Sequence, residues 1–151
     1  MVVALTNAQR EASVRPRRLT RVARCAIRRL RIHTPGTLAI TLIDGRQMRA
    51  LNKRFCQHDR PTDVLSFRYD GQPTCLPRHL APREQVVGEI FIAPSQARTY
   101  AKRHGLAYDE ELSRYVIHGL LHWIGHDDHT PEDRRMMRAM ENQLLEHCGV
   151  T

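Results

Sequence analysis

Four histidines lie within twelve residues, His118-Gly119-Leu120-Leu121-His122-Trp123-Ile124-Gly125-His126-Asp127-Asp128-His129. Residues four apart on a helix share a face, with Cβ atoms about 5–6 Å apart. Imidazoles at His118 and His122 can therefore converge on one cation. Gly125 would end the helix and let the chain fold back, bringing a third imidazole to the same ion. Three protein ligands leave a position open for water or substrate, as a catalytic zinc site requires. The surrounding helix is largely apolar, so the pair is not explained as solvated surface. In the common zinc-protease motif a glutamate directly follows the first histidine and acts as general base. Here that position is Gly119, and peptide hydrolysis by that route lacks its base.

The elements that must hold these residues are legible in the periodicity. The metal helix is predicted over 109–124, with Leu112, Tyr115, Val116, Leu120 and Trp123 on its apolar side. After it, Thr130-Pro131-Glu132-Asp133 combines an N-cap, a proline at the first helical position and acids in the first turn. Met137, Met140 and Leu144 would be the buried stripe of that last helix. Upstream, Pro94–His104 reads as a helix stopped by Gly105. A helix from Pro16 buries Leu19, Val22, Ala23, Ala26, Ile27 and Leu30, with Arg17, Arg21, Arg24, Arg28 and Arg31 on another face. That stripe suits solvent or RNA, and less well a membrane surface. A short helix over 47–55 would turn Met48, Leu51 and Phe55 to the core. Strands are expected at 37–43, 64–67 and 86–92, the last carrying Glu89. Residues 70–85, with Pro73, Pro77 and Pro82, read as loop, and 1–14 as a loose N-terminal arm. Short strands mixed irregularly with helices indicate an α+β domain.

The 151 residues fit one domain, 1–151, with 41% hydrophobic and 26% charged residues. No window approaches a membrane span, and Met1–Arg18 lacks the pattern of a secretory signal, so a cytoplasmic protein is expected. Cys25, Cys56, Cys75 and Cys148 form no C-x-x-C pair and are expected to be plain thiols. The net charge of +8 suits a polyanion, nucleic acid above all.

Three blocks then carry a resemblance. The first is His118-Gly119-x-Leu121-His122-x-x-Gly125-x-Asp127 followed by a further histidine. The second is Leu51-Asn52-x-x-Phe55-x-x-x-Asp59-x-Pro61-Thr62-Asp63-Val64-Leu65-Ser66-Phe67, and the third Gly88-Glu89-Ile90-x-Ile92. Together they resemble the signature of the YbeY family of bacterial metal-dependent endoribonucleases. The resemblance implies a small mixed four-stranded sheet packed with about five helices, and a metal helix like that of zinc metalloproteases. It also implies single-strand RNA cleavage, maturation of the 16S rRNA 3′ end, ribosome quality control and association with the small ribosomal subunit.

Two positions depart from the family pattern. The third histidine is usually six residues after the second. Here that position is Asp128, and His129 follows one later. His129 is taken as the third ligand because a longer turn is easily absorbed and an imidazole completes a three-histidine site. Asp128 and His126 are the alternatives. The family's arginine before Pro-Thr-Asp corresponds to Cys56, flanked by Arg54 and Arg60, which could supply a similar charge. Arg54, Arg60 and Ser66 are thus candidate RNA contacts, and Ser66 could equally brace the loop beside the metal. Glu89 could hydrogen-bond a metal histidine or form an ion pair.

The chemistry expected is phosphodiester cleavage assisted by one divalent ion, Zn²⁺ for a three-imidazole set, with no general base assigned. The competing expectations are a metal-dependent peptidase or other hydrolase, and a non-catalytic ribosome-assembly factor with a structural metal.

Overall fold

The computed structural model describes residues 1–56, 63–69 and 85–150. Its elements run β1 (Val2–Asn7), α1 (Pro16–Arg29), β2 (Thr37–Leu42), α2 (Gly45–Cys56), β3 (Val64–Arg68), β4 (Val86–Ile92), α3 (Pro94–His104), α4 (Tyr108–Trp123) and α5 (Pro131–His147). The four strands form one mixed sheet in the order β1-β2-β4-β3. β1, β2 and β4 are parallel, and β3 closes one edge antiparallel to β4. Parallel neighbours need crossover connections, and α1 supplies the one between β1 and β2.

Residues 2–7, read as a loose arm, are an edge strand paired along its whole length with β2. The six-residue stretch is too short for its pattern to declare a strand. Pairing with a preformed neighbour supplies the hydrogen bonds that isolated propensity does not.

α4 is the centre of the molecule. It contacts α1, α3, α5, β3 and β4, and every residue from Glu111 to Leu121 is buried except His118. Ile40, Leu42, Ile90 and Ile92 of the central strands meet Ile117, Leu120 and Leu121 in one core. Leu19, Val22, Ala23, Ala26 and Ile27 of α1 join it, as their spacing predicts.

α2 departs from its predicted packing. Met48 is fully buried, but Phe55 is 54% exposed and meets Phe67 edge-on at 5.2 Å. Phe67 in turn packs edge-on against Phe91 at 5.9 Å. Phe55 thus covers the outer edge of the sheet instead of entering the core.

Two cysteines expected as plain thiols are joined: Cys25 on α1 and Cys148 at the end of α5 form a disulfide, with Cα atoms 5.8 Å apart. They are 123 residues apart in sequence, and only the packing of α1 beside α5 brings them together. Cys75 lies outside the described residues.

Candidate metal centre

α4 presents His118 and His122 one turn apart on its one open face. Their rings lie edge to face with centroids 4.4 Å apart, and their Nε2 atoms are 2.9 Å from each other. The helix ends at Trp123 with Ile124 as its C-cap, and Gly125 takes φ 105°, a left-handed conformation that suits glycine. The chain then turns back. A capping box holds the start of α5: the Asp133 backbone N–H donates to the Thr130 hydroxyl at 3.0 Å, and the Thr130 N–H donates to the Asp133 carboxylate.

Between these two anchors the structure sets Asp128, not His129, beside the histidine pair. Asp128 Oδ2 lies 3.6 Å from His118 Nε2 and 3.4 Å from His122 Nε2. The His129 side chain is 82% exposed and its Nε2 meets Asp127 Oδ1 at 3.0 Å. Arg134 explains the orientation, since its guanidinium donates to the His129 carbonyl at 2.9 Å and holds that residue's backbone towards α5. His126 is exposed in the turn and belongs to neither cluster of metal-capable side chains among the described residues.

The donor set fits one small divalent ion. At metal–ligand distances of roughly 2.0–2.1 Å a tetrahedral ion holds its donors about 3.3 Å apart. The separations of 2.9, 3.4 and 3.6 Å bracket that value. The tautomer fits as well. His118 Nδ1 donates to Glu141 Oε1 at 2.7 Å, which leaves the Nε2 lone pair facing the other ligands.

Glu141 was not identified from the sequence, and Glu89 was considered for its task. Glu89 instead accepts a hydrogen bond from the Tyr69 hydroxyl at 2.9 Å. The Tyr69 phenol is pushed up to about 12 by burial and by that carboxylate. Glu141 is buried on α5, and its second oxygen receives Arg114 Nη1 at 3.1 Å. Arg114, also buried, continues to Glu111 at 3.7 Å and donates to Asn142 at 2.8 Å. A signal was available: Glu141 falls on the Met137–Leu144 stripe, and Arg114 on an apolar helix four residues before His118. A charge in such a place needs a partner.

A cavity of about 350 Å³ opens on His118 and Asp128, with Asp63, Tyr100, Tyr115 and Arg138 among its walls. Asp63 is exposed as a residue, but its carboxyl is turned towards Tyr115. Loss of water there raises its pKa above the usual carboxylate value, and the hydrogen bond from Tyr115 works against that rise. Burial and the same carboxylate push the Tyr115 phenol above its ordinary range.

Ser66 donates to the Gly119 carbonyl at 2.7 Å and so ties β3 to α4. Arg54 is exposed on α2, its guanidinium 5.2 Å from the Phe55 ring. Arg60 lies outside the described residues. Gly119 itself is a packing requirement. A Cβ there would come within 2.5 Å of Ile90 Cγ2 and 2.9 Å of Val64 Cγ1, so the glutamate of the zinc-protease motif has no room at this position.

The YbeY family model, described as endoribonuclease YbeY, matches residues 4–149. The chain belongs to the YbeY family. Among YbeY relatives named endoribonuclease YbeY, the Myxococcus xanthus protein is 39% identical over 75% of this chain and 37% of its own length. The Rhodococcus jostii protein is 36% identical over 85% of this chain and 72% of its own. That of Thermobifida fusca is 35% identical, covering 85% and 82%. This chain therefore spans little more than a third of the Myxococcus YbeY protein. The solution structure of TM1509 from Thermotoga maritima superposes with a TM-score of 0.62 at 22% identity, over 97% of this chain and 89% of that one. The α+β fold is shared with it.

Proposed function

We propose that this chain is a metal-dependent endoribonuclease that cuts single-stranded RNA. The observation that carries the reading is the His118–His122–Asp128 cluster with the His118 tautomer held by Glu141. Family membership supports RNA as the substrate, and the net charge of +8 agrees with a polyanion. His118, His122 and Asp128 would hold the ion, with Zn²⁺ suited to two imidazoles and a carboxylate. When bound, such an ion supplies Lewis-acid polarisation of a phosphate oxygen or of a water. The chain's own residues then act around it. Glu141 keeps the His118 ring oriented, Ser66 fixes the helix against β3, and the cavity beside His118 receives the strand. The packing at Gly119 argues against a zinc peptidase. The cellular task proposed is maturation of the 16S rRNA 3′ end and ribosome quality control at the small subunit, in the cytoplasm.

Metal analysis of the purified protein beside cleavage of a single-stranded RNA by wild type and His118→Ala tests this. One equivalent of metal and cleavage in wild type, both lost in the variant, are expected. Turnover of a peptide library with none on RNA would overturn it.

A further inference from the structure

The arginine stripe of α1 is not absorbed by the metal centre. Arg17, Arg21, Arg24 and Arg28 are all exposed, and they line a groove of about 460 Å³ whose floor includes Leu5 of β1 and Thr20. Among the described residues none of the four has an acidic partner, whereas the neighbouring Arg15 and Arg18 both reach Asp109. α1 contains no acid at all. Like charges at i,i+4 oppose each other, and cations in the first turn oppose the helix dipole. The stripe therefore works against the helix that carries it, which is held by its buried apolar face, and a bound anion would relieve that repulsion.

We propose that this groove binds the phosphate backbone of an RNA segment other than the one being cut. From Arg17 to Arg28 the helix rises about 16 Å, long enough for its arginines to meet several successive phosphates of one strand. The groove and the cavity that opens on His118 and Asp128 share no lining residue, and β1 and β3 are at opposite edges of the sheet, about 14 Å apart by strand spacing. The groove is thus separate from the cavity beside His118. A lipid surface is disfavoured because the apolar face of α1 is already buried in the core, leaving nothing to insert. The choice of RNA as the polyanion rests on the proposed endoribonuclease activity.

The test compares wild type with Arg21→Glu/Arg24→Glu, and with Arg21→Gln/Arg24→Gln in case charge reversal disturbs folding, each checked by circular dichroism. Affinity for a labelled RNA hairpin with a single-stranded tail is read by anisotropy over a salt series, the probe being verified intact on a gel. Cleavage is read separately on a six-nucleotide single strand. The variants should bind the hairpin at least about tenfold more weakly, and the salt slope should shrink by about 1.4–1.8 for two lost phosphate contacts. Cleavage of the short strand should be unchanged. Unchanged hairpin affinity and slope would overturn the proposal, as would an equal loss of short-strand cleavage. It would also fall if wild type bound vesicles containing phosphatidylglycerol more tightly than the hairpin and only that binding were lost. If wild type cleaves no RNA at all, the endoribonuclease reading fails, and the hairpin arm still reports on the groove.

Discussion

At the scale of single residues, the proposed third ligand turns on one position in a turn. Asp128 lies beside both imidazoles, and His129 faces Asp127. Asp128→Asn is therefore expected to weaken zinc binding by at least about tenfold, as loss of a ligand charge should. His129→Ala should stay within about threefold, and a competition titration with a chromogenic chelator would distinguish them; a large loss in His129→Ala with little in Asp128→Asn would restore His129 as the ligand. Glu141→Gln should cost about 10–100-fold in metal affinity by releasing the His118 ring. It also removes one of the counter-charges of the buried Arg114, which keeps Glu111 at 3.7 Å, a loss of about 1–3 kcal/mol. Urea denaturation of the metal-free protein isolates that second effect.

At the scale of elements, α4 is confined on one side by the sheet. Gly119→Ala should destabilise the protein by about 1–3 kcal/mol through overpacking against Ile90 and Val64. Its thermal midpoint should fall even in the metal-free protein, and an unchanged midpoint would mean that β3 can give way. The start of α5, with Thr130 as its N-cap, is predicted from Thr130-Pro131-Glu132-Asp133, and the structure adds the reciprocal bond that makes Thr130 and Asp133 a capping box. Helix ends, helix faces and the core stripes of α1, α4 and α5 were legible because capping and 3.6-residue periodicity are local. β1 was not, since a six-residue edge strand is defined by the neighbour it pairs with.

At the scale of the whole molecule, two links between distant parts of the chain should govern stability. The Cys25–Cys148 bridge closes 123 residues of sequence, which restricts the unfolded chain by up to about 5 kcal/mol. Cys148→Ser should lower the denaturation midpoint of oxidised protein and leave reduced protein nearly unaffected. A metal held by His118, His122 and Asp128 would link α4 to the turn before α5. At a free concentration a hundredfold above its dissociation constant it adds about 2.7 kcal/mol, or roughly 8 °C at this chain length. A chelator should remove that increment from wild type and none from His118→Ala.

The sequence by itself determined the spacing that stacks His118 on His122, the apolar stripes that bury most of α4, the glycine stop at Gly125 and the family blocks. All of these are short-range patterns, read from residues within a few turns of one another. Tertiary structure alone decided that Asp128 and not His129 meets the pair, because a turn's side-chain directions depend on what holds both its ends. It decided equally that Glu141 reaches His118 from another helix. It also showed why Gly119 is glycine, a residue whose absent side chain acquires meaning only when the sheet packs against it.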